Sequence, residues 1–304
     1  MSDDTRDVMR DGGPIFDRVV LIGLGLIGSS LARALRVHNV AKRIVAVDAS
    51  LDVCQAVDRL QLADETHTDA AVAVRGADLV VLCVPLGAYE AVAQTIAPHL
   101  PNGAIVSDVG SVKEVATNVL VQNLPAHVRV VPGHPIAGTE HSGPEAGFAK
   151  LFEGRWCILT PPDGTDEVSI ERVAEMWRRC GSMIERMDAP HHDKVLAITS
   201  HLPHLIAYTI VGTAADLAED AKAEVIKFSA SGFRDFTRIA ASDPTMWRDV
   251  FLNNREATLE MLQRFTEDLT ALQKAIRRGD GDALHRMFTR TRSIRRSIID
   301  ARQA

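Results

Sequence analysis

Hydrophobic positions along the chain follow two different rhythms. In the first part they form short continuous runs: Arg18-Val-Val-Leu-Ile22, Ile44-Val-Ala-Val47, Leu79 to Val84, Ala104 to Val106 and Val128 to Val131. Such β-branched runs, each ended by glycine, proline or a small polar residue, predict strands buried on both faces of a parallel sheet. Helix-length segments separate them, and strand alternating with helix indicates an α/β domain. Between Gly143 and Pro162 the pattern predicts a loop and a further strand; a helix follows over Val168 to Cys180 with Gly181 as its C-cap, then a last short strand over Met183 to Met187. After Asp188-Ala-Pro190 the rhythm turns helical and stays so. The expected organisation is a frayed tail over 1–17, an α/β domain over 18–188 and an all-α domain over 189–304.

In the helical part, Leu262, Phe265, Leu269, Leu272 and Ile276 recur at alternating steps of three and four. That spacing makes an apolar seam of the coiled-coil kind, which needs a partner surface. A homodimer through the helical domain is expected.

The first strand runs into Gly23-Leu24-Gly25-Leu26-Ile27-Gly28 and then a helical stretch, Ser29 to Leu35. Gly23 allows the tight turn, Gly25 lets the backbone approach a pyrophosphate, and Gly28 lets the helix pack on the strand, with the helix N–H groups facing the phosphates. Asp48 ends the second strand 20 positions after Gly28, where a carboxylate accepts the adenosine ribose hydroxyls. The α/β domain is thus expected to be a Rossmann-type dinucleotide-binding domain. Asp48 repels a 2′-phosphate, and Ala49 and Ser50 supply no arginine to receive one, so NAD is favoured over NADP.

Strand ends in an open parallel sheet line the ligand crevice, which brings Pro85, Ser111 and His134 towards one another. Ser111 reads either as a helix N-cap or as a hydroxyl that orients a substrate oxygen. His134 follows Pro132-Gly133 and is expected at a strand exit. An imidazole with an ordinary pKa of ~6.5 can exchange a proton near neutral pH, which makes His134 the leading candidate for acid–base work.

Composition narrows the partners. The 304-residue chain is 46% hydrophobic with a formal net charge of −6, which provides no general attraction for nucleic acid or an anionic membrane. Its strongest apolar run, Leu79 to Tyr89, is shorter than the ~20 residues of a membrane span, and a cytoplasmic protein is expected. Cys54, Cys83, Cys157 and Cys180 show no close-paired spacing and read as buried thiols. His201 and His204 fall on nearly one helix face beside Pro203, which should kink or open the helix; without an evident carboxylate ligand they read as core or polar-network residues, and no metal is expected. Ser229 to Gly232 read as a loop before a helix. Arg238 reads as a bidentate anion ligand or as a surface arginine, and Trp247 as packing.

Taken together, Gly23-Leu-Gly-Leu-Ile-Gly28-Ser-Ser, Asp108-Val-Gly-Ser111-Val-Lys113, Gly133-His134-Pro-Ile-Ala-Gly-Thr-Glu140, Thr199-Ser-His201-Leu-Pro-His204 and Gly232-Phe-Arg-Asp-Phe-Thr-Arg238 resemble the prephenate/arogenate dehydrogenase family of tyrosine biosynthesis. The resemblance implies an NAD-binding Rossmann domain, an all-helical dimerisation domain and an active site between them. It further implies oxidative decarboxylation of prephenate, arogenate or both, with His134 taking the ring hydroxyl proton assisted by Ser111. Substrate positions are His204 and Arg238, with Thr139, Gly232 and Trp247 nearby. Glu140, Arg234 and Asp235 match an ionic network at the entrance. Cofactor contacts are Gly23, Gly25, Leu26, Ile27, Gly28, Asp48, Val84, Pro85 and Ser111. Two departures stand out: Pro85-Leu-Gly87-Ala lacks an arginine that many relatives carry, and Arg234 stands where some have lysine. A hydroxyacid dehydrogenase or a non-catalytic NAD-sensing protein shares the glycine loop but does not need His134, Ser111 and Arg238 together.

Overall fold

The computed structural model describes residues 13–216 and 231–300. Six strands form one parallel sheet: β1 (Phe16–Ile22), β2 (Ala41–Val47), β3 (Glu65–His67), β4 (Leu79–Leu82), β5 (Ile105–Asp108) and β6 (Arg129–Val130), in the order β3-β2-β1-β4-β5-β6. Helices α1 (Leu26–Val37), α2 (Leu51–Arg59), α3 (Ala70–Ala73), α4 (Tyr89–Ile96) and α5 (Glu114–Asn123) connect them. The order is that of a Rossmann domain, with the switch between β1 and β4.

The continuous apolar runs make sense in this sheet because strand side chains alternate between faces. Val19, Leu21, Leu79 and Val81 enter one core with Leu31 and Leu35 of α1, whereas Val20, Ile22, Val80 and Leu82 enter the other with Tyr89, Ala93 and Ile96 of α4. Both faces are covered, so neither set of positions can be polar. Phe16 already pairs with Ala41, so the sheet starts within the stretch assigned from sequence to the tail; residues 1–12 lie outside the described residues.

A second sheet was not anticipated. β7 (Gly133–Pro135), β8 (Trp156–Leu159) and β9 (Met183–Arg186) form a separate three-stranded sheet in that order. His134 therefore does not trail off a strand exit: the chain turns at Pro132 and resumes as β7, where His134 pairs antiparallel with Ile158. Helix α6 (Glu167–Arg179) precedes β9 and buries Trp177 fully, and Gly181 beyond it takes φ +93°, the left-handed conformation of a C-cap.

From Asp188 onward the described chain is helical. α7 (Ala189–Leu196) is capped by the Asp188 side chain, and it runs through a π turn at Ala197–His201 into α8 (Leu202–Ala215). The widened turn lies just before Pro203, whose missing N–H cannot bond the carbonyl four residues back. Ala189–Ala215 is long and apolar enough to cross a bilayer by length and composition, yet His192, Asp193 and His201 are buried along it. α9 (Ser231–Thr237) and α10 (Pro244–Asn253) follow.

By compactness, the chain falls into a first unit that extends to Arg255 and a second from Glu256 onward. Burial of polar residues after Asp188 explains the first unit's extent: Asp193 bonds the backbone of α5 and Asn254 bonds the backbone of Asp193. The second unit holds α11 (Arg255–Arg278) from its second residue on, and α12 (Gly281–Asp300). Leu269 and Ile276 of the seam are 48% and 66% exposed.

Candidate active site

The glycine loop leaves a cradle at the switch point. A Cβ on Gly23 (φ +97°) would sit 2.7 Å from the Cys83 carbonyl oxygen and 2.9 Å from Val84 Cγ1, and one on Gly28 only 2.0 Å from the Gly23 oxygen. Gly25, by contrast, has open space where its Cβ would be, and it starts α1 without a side-chain cap. An uncapped helix end beside open space suits a pyrophosphate, and Leu26 and Ile27 form its first turn. Asp48 is half-buried at the end of β2, where Oδ2 accepts the Leu24 N–H (2.9 Å) and Oδ1 the Ser50 N–H (3.0 Å). Pro85 lies exposed just beyond β4, leading into the short turn Leu86–Ala88.

Two glycines next to the candidate chemistry share one carboxylate. Asp108 ends β5 fully buried; its Oδ2 accepts the Gly110 N–H (2.8 Å) and the Tyr89 hydroxyl (2.7 Å), and its Oδ1 accepts the Gly133 N–H (3.2 Å). Lys113, also fully buried, donates to Asp108 Oδ2 (2.5 Å) and to the Gly133 carbonyl (2.7 Å). Ser111 follows Gly110 and His134 follows Gly133. The N-cap reading of Ser111 is not what the structure shows: α5 begins at Glu114, and Asp193 of α7 accepts the N–H groups of Lys113 (2.8 Å) and Glu114 (3.0 Å). Ser111 is half-buried, and its hydroxyl has no hydrogen-bond partner among the described residues.

His134 is 8% exposed and heads a chain of polar contacts. Its Nδ1 lies 2.9 Å from His192 Nε2, and His192 Nδ1 lies 2.8 Å from Asp193 Oδ1. A carboxylate oxygen only accepts, so Nδ1 of neutral His192 carries the proton and its Nε2 accepts from His134 Nδ1–H. That leaves Nε2 of His134 with the lone pair. Burial, then His192, Lys113 and His201, hold the His134 pKa well below the ordinary histidine value, which keeps the ring neutral. His201 is buried beside this chain; Asn254 Nδ2 donates to its Nδ1 (3.0 Å), and burial pushes its pKa down to about 4.

His204 is separate from His201 in environment. Its Nδ1 donates to the Ser200 carbonyl (2.9 Å), and its ring stacks on Trp247 with centroids 3.6 Å apart. Trp247 is buried with Val112 and Val250, so it is both packing and the floor under His204. Arg238 is exposed and pairs with Glu140 across 3.3 Å, while Thr139 Oγ1 accepts the His141 N–H (3.2 Å) next door. Arg234 and Asp235 are exposed on α9 and form no ion pair with Glu140 among the described residues. Gly232 is helical rather than in a loop; Ser229 and Ala230 lie outside the described residues.

Sequence reasoning missed His192, Asp193, Lys113, Tyr89 and Asn254. The signal available was slight: Lys113 and Asp108 flank a short loop, and His192-Asp193 is a polar pair on an apolar helix.

Comparison with known proteins places this arrangement. Residues 31–186 match the family model "Prephenate dehydrogenase, nucleotide-binding domain", and residues 188–290 match "Prephenate dehydrogenase, dimerization domain". The chain belongs to the prephenate dehydrogenase family. It is 43% identical over 284 residues to a cyclohexadienyl dehydrogenase of Zymomonas mobilis, covering 93% of this chain and 97% of that protein. The crystal structure of Aquifex aeolicus prephenate dehydrogenase in complex with hydroxyphenyl propionate and NAD+ superposes with a TM-score of 0.84 at 33% identity, covering 93% of this chain and 98% of that one. A Synechocystis arogenate dehydrogenase superposes with a TM-score of 0.78 at 28% identity, covering 92% and 99%. Membership of this family makes the protein an oxidoreductase.

Proposed function

We propose that this protein catalyses the NAD-dependent oxidative decarboxylation of prephenate to 4-hydroxyphenylpyruvate and of arogenate to tyrosine. The observation that carries the mechanistic part is the His134–His192–Asp193 chain, which leaves a buried, neutral imidazole with its lone pair on Nε2. The cofactor is NAD, supported by the glycine cradle, by Asp48 and by the NAD+ complex of the Aquifex relative. When bound, NAD accepts the hydride from the hydroxyl-bearing ring carbon.

His134 Nε2 takes the hydroxyl proton as the hydride departs, and Ser111 holds the oxygen. Loss of CO₂ returns its bonding pair to the ring, aromatisation drives the step, and the resulting phenolate oxygen takes the proton back from His134. Arg238 binds a substrate carboxylate and His204, braced by Trp247, contacts the substrate through Nε2. Thr139 and Gly232 are further substrate positions, and Glu140, Arg234 and Asp235 stand at the entrance. No residue of the site commits to a keto acid or an amino acid, and the Zymomonas relative is named for the broader activity.

The protein acts in the cytoplasm as a homodimer. Free cysteines, none of them in a disulfide among the described residues, suit a reducing compartment. The exposed seam Leu269 and Ile276 suits burial against a second copy.

The test is NADH formation with each substrate. Both should be oxidised; absence of NADH with both sinks the assignment, and a strong preference in kcat/KM for one narrows it to that substrate.

A further inference from the structure

Lys113 is a lysine with no access to solvent, an expensive placement for an ammonium group unless it is fully paired. Its partners are not distributed at random. Asp108 and Lys113 together hold both polar groups of one peptide residue, the N–H of Gly133 and its carbonyl, while Asp108 also holds the N–H of Gly110. Ser111 and His134 are the next residues after those two glycines. Gly110 and Gly133 belong to two different sheets or their margins: Gly110 follows β5 of the large sheet, and Gly133 opens β7 of the small one. No ladder hydrogen bond joins β5 to β7: the backbone pairing of β5 with β6 ends where the Val131 N–H meets the Val106 carbonyl (2.9 Å), and beyond it the Asp108 and Lys113 side chains bond both polar groups of Gly133.

We propose that the Lys113–Asp108 pair is a strut that sets Ser111 and His134 in register across the two sheets, which makes Lys113 and Asp108 positioning residues for the reaction. Lys113 touches neither substrate nor cofactor in this role; it acts through the Gly133–His134 backbone. This inference rests on the general-base reading of His134 only for its effect on turnover.

A second consequence follows from charge. The groups that act on His134 are His192 from α7, His201 from the π turn and Lys113, with Cys157 of β8 against its backbone; Asp193 lies behind His192 and Asp108 behind Lys113. Burial lowers the Lys113 pKa while Asp108, in hydrogen-bond contact, favours its charged form, and in that form Lys113 opposes a positive charge on His134. Removing it should favour protonated His134 and shift its titration towards neutrality.

The experiment compares Lys113→Met with the double variant Lys113→Met/Asp108→Asn and with His134→Asn. Measured are Tm, NAD+ affinity, kcat and KM across pH, and the imidazole ¹H–¹³C resonance of His134, assigned by its loss in His134→Asn. Lys113→Met should lower kcat by about 10–100-fold through misplacement of His134, with NAD+ affinity within about twofold. Its His134 titration and the acidic limb of kcat/KM should move up by about half a pH unit or more. Because the single variant strands a buried carboxylate, its Tm should fall; the double variant should recover Tm but not kcat. A folded Lys113→Met whose kcat and His134 titration match the wild type overturns the proposal, as does a double variant that recovers kcat together with Tm. If His134→Asn turns over like the wild type, the general-base reading fails, and the His134 resonance alone then decides the strut.

Discussion

His134 Nδ1 and His192 Nε2 lie 2.9 Å apart, and that contact decides which nitrogen of His134 is free to act. Because Asp193 accepts from the far side of His192, the proton on His134 is held at Nδ1. A base needs the opposite nitrogen open, and the chain provides it.

Replacing His134 by Asn removes the lone pair at that position while keeping a polar side chain of smaller size. Turnover should fall by about 10²–10⁴ with NAD+ affinity nearly unchanged, since the glycine loop and Asp48 are untouched. Steady-state kinetics alongside NAD+ titration would show this; a variant with wild-type kcat removes His134 from the chemistry.

His192→Leu tests the relay rather than the base. With Nδ1 of His134 unpaired, the ring is free to change tautomer and orientation, so kcat should drop roughly 10–100-fold while KM for the substrate stays put, by analogy with the outer partners of metal-bound histidines. A rise in KM alone would place His192 in substrate binding instead.

Glu140 holds Arg238 across 3.3 Å at an exposed position, and on the proposed role of Arg238 it competes with the substrate anion. Glu140→Gln should lower KM a few-fold with no measurable change in Tm, whereas Arg238→Met should raise KM by about tenfold or more. Equal KM values in both variants and the wild type would remove the arginine from the binding site.

Protonation should destabilise the fold. The His201 pKa is pushed down from 6.5 to about 4, and His134 and His192 are lowered as well, all by burial first. The unfolded chain therefore binds protons that the folded chain refuses. Stability is fully present above about pH 6.5 and declines as pH falls towards 4, with His201 alone accounting for ~3 kcal/mol. Tm measured from pH 7.5 to 4 should show the fall beginning near 6.5; a flat curve would contradict the buried neutral histidines.

Gly28→Ala probes the cofactor cradle, because its Cβ would lie 2.0 Å from the Gly23 carbonyl oxygen in a loop with no room to retreat. NAD+ affinity should fall by more than about tenfold, with a lower Tm. Calorimetric NAD+ binding in a folded Gly28→Ala at wild-type affinity would argue that the loop does not carry the pyrophosphate.

Local periodicity by itself determined much of this protein. Apolar runs with period-two burial on both faces made the parallel sheet legible, and the glycine turn at Gly23 and Gly28 with Asp48 at the next strand end lies close enough in sequence to be read before any fold is known. The helix over Glu167–Arg179 and the strand over Met183–Arg186 were likewise visible, since each is specified by its own residues. What only the tertiary structure decided is where the buried polar groups go. His134 lies in a strand because β8, from a later part of the chain, is there to pair with it. Asp193 caps α5 from 80 residues away, and Asp108 reaches Gly133 across 25. A buried lysine, aspartate or histidine is tolerable only when distant segments converge to satisfy it, and that convergence is a property of the packed chain rather than of any stretch of sequence.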